Sequence, residues 1–123
     1  MSARILVIDD DPGVRRMLVE MLRREGYEVD DAENGRVGMR RFREHPAALV
    51  ITDLVMPEQE GLETLIQLRH SGEPVKVIAI SGGGRVGPDS YLNSALTLGA
   101  DAILAKPFGR EELLAQVTAL LSG

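Results

Sequence analysis

Three aspartates follow an aliphatic run in "ILVIDDD", residues 5 to 11, and Pro12 and Gly13 come next. At an effective dielectric of about 20, two carboxylates about 5 Å apart repel by roughly 3 kcal/mol. Such a triplet asks for a counter-charge. Three later apolar runs also end on reactive groups: Asp53 closes "AALVITD", Ser81 closes "VKVIAIS", and Lys106 follows "DAILA". If Asp9, Asp10 and Asp53 converge, they cannot all stay ionised without a cation, and one lysine is not enough. A hard divalent ion with oxygen ligands suits them, and Mg²⁺ fits a partly hydrated site with one or two carboxylates. Mg²⁺ beside a carboxylate, a hydroxyl and an amine is what phosphoryl transfer needs: the positive groups neutralise the equatorial oxygens and the hydroxyl donates to one of them. A carboxylate can itself be the acceptor, giving an aspartyl phosphate.

For these groups to meet, the chain must bring the ends of several segments to one edge. The sequence alternates a strand-type run with a helix-type run five times. "RILVI", 4 to 8, is apolar throughout, as a strand buried on both faces should be. Val14, Met17, Leu18, Met21 and Leu22 then form one helical stripe. Asp11 stands at the N-cap position, Pro12 at the first helical residue and Gly26 beyond the end. A strand over 27–32 and a weakly patterned helix over 35–44 follow. Next come a strand over 47–53 and a helix over about 60–70, with Leu62, Leu65 and Ile66 on its stripe and Leu68 off it. A strand over 75–81, the loop "GGGRVGP", a helix near 89–98, a strand over 101–105 and a helix starting near Gly109 complete the chain. Short strands alternating with longer helices predict βαβ units: an α/β fold with a single doubly wound, five-stranded parallel sheet. In such a sheet ligands bind outside the carboxyl ends of the strands, where Asp9, Asp10, Asp53, Ser81 and Lys106 fall.

Bulk properties narrow the function. The 123 residues suffice for one domain, read as 1–123 with no output domain. A net charge of −5 argues against direct nucleic-acid binding. No apolar run approaches the roughly 20 residues of a membrane span. The chain has no cysteine, which is compatible with a cytoplasmic location.

Taken in order, "LVIDDD", "VITDLVMPEQEGLE", "VIAIS" and "AKPF" resemble the motifs of a response-regulator receiver domain of two-component signalling, over essentially the whole chain. The resemblance implies a flavodoxin-like (βα)5 fold with strand order 2-1-3-4-5. It implies that Asp53 accepts the phosphoryl group and that Asp10, Asp53 and the backbone carbonyl of Val55 bind Mg²⁺, with Asp9 acting through a water. It also implies that Lys106 pairs with the phosphoryl group, that Ser81 is the switch hydroxyl, and that the Lys106–Pro107 bond is cis. Expected partners are a sensor histidine kinase or a histidine phosphotransfer protein, and a downstream protein that reads the fourth helix, fifth strand and fifth helix. A homodimer is compatible with it. Such a protein is no enzyme beyond catalysing its own phosphorylation and dephosphorylation.

Two features depart from the family. Ile103 stands where receivers often carry an aromatic, three residues before the lysine, and "SGGGRVGPDSY" is long for its position. Ile103 keeps open a phosphorylation-independent receiver-like scaffold. A small Mg²⁺-dependent phosphatase of the haloacid-dehalogenase type is the enzymatic rival. It matches the spacing of Asp9 to Asp11, but Gly13 replaces the expected hydroxyl residue and Asp53 is left unexplained. Asp30 and Asp31 read as solvated, His45 and His70 as surface residues, and Arg15, Arg16, Arg23 and Arg24 as the polar face of the first helix.

Overall fold

The computed structural model describes residues 3–53, 60–81 and 99–122, with backbone alone for 60–62 and 81. The elements are β1 (Arg4–Ile8), α1 (Pro12–Arg24), β2 (Glu28–Ala32), α2 (Gly35–Glu44), β3 (Leu49–Asp53), α3 (Glu60–His70), β4 (Lys76–Ser81), β5 (Ala102–Ala105) and α4 (Arg110–Ser122). Here α4 is the helix expected to start near Gly109. The helix expected near 89–98 and the glycine-rich loop before it lie outside the described residues, as do Val55 and Met56-Pro57.

All strand pairings are parallel and the order is β2-β1-β3-β4-β5. The alternation of side chains along each strand divides the core in two. Leu6, Ile8, Val50, Val77 and Ala79 face Met39 and Phe42 of α2 and Leu65 and Leu68 of α3. Ile5, Val7, Leu49, Ile51, Ile78 and Ile80 face Leu18, Val19 and Leu22 of α1 and Leu113 and Val117 of α4. Both faces of the sheet are covered, so the inner strands β1, β3 and β4 are largely apolar, while the edge strand β2 (EVDDA) carries three acids. Ile103, on β5, packs partly buried against the first cluster.

Local chemistry sets the boundaries as the sequence predicts. Asp11 Oδ1 accepts the backbone N–H groups of Gly13 (2.8 Å) and Val14 (3.3 Å), capping α1. Gly26 has φ +93°, a conformation that favours glycine, just past the end of α1. Gly38 serves contact: a Cβ there would lie 2.5 Å from Ile8 Cδ1 and 2.8 Å from Ile8 Cγ1, so α2 lies close on the last residue of β1.

The structure corrects four details. Met17 is 42% exposed, and Val19 takes its place in the core. Leu68 is fully buried whereas Ile66 is 37% exposed. Helix α2, weak in pattern, nevertheless buries Met39 and Phe42. Asp30 and Asp31 are ion-paired rather than merely solvated, with Arg4 (3.1 Å) and Arg15 (3.0 Å) respectively.

Candidate functional site

The carboxyl edge of the sheet gathers the candidate residues. Ile8 and Thr52 are partners in the β1–β3 register, so Asp9 and Asp53 are the next pair of residues along neighbouring strands. Asp9 is fully buried and Asp53 is 3% exposed, while Asp10 is exposed. One carboxylate oxygen from each of Asp9, Asp10 and Asp53 can be chosen so that all three lie within 4.8 Å of one another.

Backbone contacts fix the loop that carries the first two acids. The Asp9 N–H donates to the Ala32 carbonyl at 3.1 Å, extending the β1–β2 ladder by one residue. Asp9 Oδ1 accepts the Asp11 N–H at 2.8 Å. Asp9 Oδ2 is buried and, among the described residues, has no hydrogen-bond partner. Burial pushes the Asp9 carboxyl from its ordinary 3.8 up to about 6. The Asp11 N–H opposes that rise, the Asp53 charge adds to it, Lys106 opposes it and Asp10 adds to it.

Lys106 comes from the residue after β5. Its Nζ lies 3.3 Å from Asp53 Oδ2 and 3.8 Å from Asp9 Oδ2. The Lys106–Pro107 peptide bond is cis. Ser81 ends β4 and pairs in register with Ala105, the residue before Lys106. Its side chain and the carbonyl of Val55 lie outside what the structure describes.

A hard cation fits this donor set. Three oxygen-bearing acids converge with one amine, and the buried Asp9 Oδ2 lacks a hydrogen-bond donor among the described residues, a costly state that a cation or its bound water relieves. Neither histidine reaches the cluster. His45 and His70 stand at the C-terminal ends of α2 and α3, which a parallel crossover returns to the opposite edge of the sheet. Both are exposed.

Sequence reasoning missed two arginine anchors. Arg15 Nη1 donates to the Asp9 carbonyl at 2.7 Å and its Nε to Asp31 Oδ2 at 3.0 Å. Arg69 donates to the carbonyls of Gly99 (2.9 Å) and Val75 (2.8 Å) and to Asp101 (2.7 Å). The sequence signal for each was only an arginine on a helix. Their acceptors are mostly backbone carbonyls, which no residue type announces.

Comparison with known proteins agrees with this fold. A family model described as the response regulator receiver domain matches residues 5–118. The chain belongs to the response-regulator receiver family. Over 122 aligned positions the receiver is 41% identical to the response regulator MprA of Mycobacterium ulcerans, covering 98% of this chain and 51% of that protein. The chain spans about half the length of the curated relatives it matches. Among solved structures it is similar to a CheY-like receiver domain protein from Methanospirillum hungatei (28% identity, TM-score 0.90, covering 99% and 95% of the two chains). It is also similar to a receiver domain protein from Clostridium thermocellum (30% identity, TM-score 0.86, covering 98% and 94%). The receiver is thus a signalling module of the two-component type, and the phosphatase reading has no support from its relatives. Among the described residues no helix is long and apolar enough to cross a membrane.

Proposed function

We propose that the receiver takes a phosphoryl group from a phosphohistidine onto Asp53, with Mg²⁺ bound, and thereby switches a protein-interaction surface. The observation that carries this reading is Lys106 Nζ lying 3.3 Å from the buried Asp53 carboxylate, inside a cluster completed by Asp9 and Asp10. Asp10, Asp53 and the Val55 carbonyl would hold the ion directly, and Asp9 through a water. When bound, the ion supplies positive charge to the phosphoryl oxygens.

The chain's own groups account for the transfer. A carboxylate oxygen of Asp53 forms the new bond to phosphorus as the phosphorus–nitrogen bond of the donor breaks, and the imidazole leaves with that electron pair. Lys106 faces the incoming oxygens as a second positive charge. Ser81, at the end of the adjacent strand, donates its hydroxyl to one of them. The donor histidine belongs to a sensor kinase or a histidine phosphotransfer protein, since His45 and His70 lie at the far edge of the sheet. The phosphorylated state favours one of two surface conformations, a population shift. The surface read by the downstream protein comprises the segment 89–98, β5 and α4.

Incubation with acetyl phosphate and Mg²⁺, followed by intact-mass measurement, tests this reading. The expected result is one phosphoryl adduct on the wild type and none on Asp53→Asn or in EDTA. A wild type that gains no adduct, and does not respond to beryllofluoride, supports the phosphorylation-independent scaffold instead.

A further inference from the structure

Arg15 lies one turn into α1, and its own N–H bonds the Asp11 carbonyl at 2.9 Å. Its side chain turns back to the loop that precedes the helix, where it meets the Asp9 carbonyl (2.7 Å) and the Asp31 carboxylate (3.0 Å). We propose that Arg15 and Asp31 are positioning residues for the metal-binding carboxylates: the guanidinium fixes the peptide plane between Asp9 and Asp10, and Asp31 neutralises it. This inference rests on the metal-dependent reading of the site.

The geometry gives the reason. The Asp9 carbonyl and the Asp10 amide share one rigid plane. Holding that carbonyl therefore sets the direction in which the Asp10 side chain leaves the backbone. The Asp9 N–H is already tied to Ala32 and the Asp9 side chain to the Asp11 N–H, so the Arg15 contact is the third tether on one residue. Asp10 itself is exposed and needs such a fixed backbone to present its carboxylate reproducibly.

Charge explains the second partner. A bare guanidinium beside three carboxylates would compete with a divalent cation. Asp31, at the end of β2, takes up that charge, so Arg15 can hold the loop without serving as the cluster's permanent counter-ion. Two donors set at a fixed angle reach the two acceptors together, which the single ammonium of a lysine does not do. The ion pair is partly exposed, with 20% and 46% of the two side chains accessible. Pairs of that kind contribute little to stability, and geometry remains as their role.

The test is a Mg²⁺ titration of the full chain, followed by NMR through the backbone amides of Asp10 and Asp11, on wild type, Arg15→Ala, Arg15→Lys and Asp31→Asn. Urea unfolding in EDTA accompanies each variant. Removing a cation near the acids would, by charge alone, tighten Mg²⁺ binding. Positioning demands the reverse: Arg15→Ala and Arg15→Lys each weaken it about tenfold, the lower end for groups that orient metal ligands. Their urea midpoints fall only by what the loss of one hydrogen bond to a part-buried carbonyl costs, less than for Arg69→Ala, which loses two such bonds. Asp31→Asn, which keeps Arg15, weakens binding in the same direction. Arg15→Ala binding as tightly as wild type, or Arg15→Lys retaining full affinity, overturns the role of Arg15. Full affinity in Asp31→Asn overturns that of Asp31. A wild type that binds no Mg²⁺ is a separate result, and it overturns the metal reading together with this inference.

Discussion

Lys106 Nζ and Asp53 Oδ2 lie 3.3 Å apart although 53 residues separate them in sequence and β4 stands between their strands in the sheet. The lysine side chain crosses the end of β4 to reach an acid with almost no solvent exposure. Its amine is the nearest positive charge to the two buried carboxylates among the described side chains. Lys106→Met leaves Asp9 and Asp53 facing each other. Without metal, the variant is expected to lose on the order of 1 kcal/mol at pH 7, a modest figure because the amine is partly solvated. Phosphorylation by acetyl phosphate is expected to slow roughly 10²-fold, the scale for losing one preorganised charge donor. Stopped-time mass measurements and urea unfolding check both. An unchanged rate would mean the amine does not face the phosphoryl group.

Asp9 makes metal-free stability depend on pH. Its carboxyl is raised from 3.8 to about 6 by burial, so the folded state holds the proton more tightly than the unfolded state. The stability contributed by that proton is complete below about pH 4 and is lost as pH rises through about 6. The loss is on the order of 2–3 kcal/mol. Asp9→Asn keeps an oxygen for the Asp11 N–H and removes the titration. Relative to wild type in EDTA, it is expected to flatten this part of the profile and to be more stable at pH 7 by on the order of 2 kcal/mol. Urea midpoints across the range decide it, and a wild-type advantage over the variant that grows with pH would contradict it.

On the proposed metal-bound reading, Mg²⁺ would compete with the same proton. Its apparent affinity is therefore expected to fall as pH drops below about 6. In Asp9→Asn that dependence weakens. Thermal shifts by Mg²⁺ at several pH values measure it, and a shift equally large at pH 5 and pH 8 would contradict it.

Helix α2 sits close on Ile8, the residue before Asp9. A Cβ on Gly38 would overlap the side chain of Ile8, which is 1% exposed, so moving it aside would disturb the packed core. Gly38→Ala gains about 1 kcal/mol of helix propensity, but the overlap costs about 1–3 kcal/mol. Net destabilisation of about 1 kcal/mol is expected. Ile8→Val removes the Cδ1 atom and should recover part of it in the double variant. Additive losses in a urea-unfolding cycle would place the cost elsewhere.

Sequence and structure agree where one physical cause dominates. Apolar runs flanked by turns became strands, and Asp11 capped α1 because its side chain can accept orphan N–H groups wherever the fold goes. The acids at strand ends were legible because a parallel sheet brings those ends to one edge. Burial within a helix was less so. Met17 and Val19 are both apolar and two positions apart, and only the packing of α1 on the sheet selects Val19. Leu68 over Ile66 follows the same logic. Arg15 and Arg69 were opaque because their partners are chiefly main-chain carbonyls, placed by folding rather than by residue type.

Arg69 offers a check on that last point. It ties the end of α3 to Val75, Gly99 and Asp101, and Asp101 also accepts the Val77 N–H at 2.8 Å. Arg69→Ala is expected to cost about 2 kcal/mol, since it leaves part-buried carbonyls without their donors. A change below about 0.5 kcal/mol in urea unfolding would show that water replaces the guanidinium freely.

The most direct test of the phosphoacceptor assignment is chemical mapping. The receiver is phosphorylated with acetyl phosphate and Mg²⁺, reduced with borohydride, which converts an aspartyl phosphate to homoserine, and digested for peptide mass analysis. Homoserine at position 53 alone is the expected result. Homoserine at position 9 or 10, or at no position after a confirmed adduct, would contradict it.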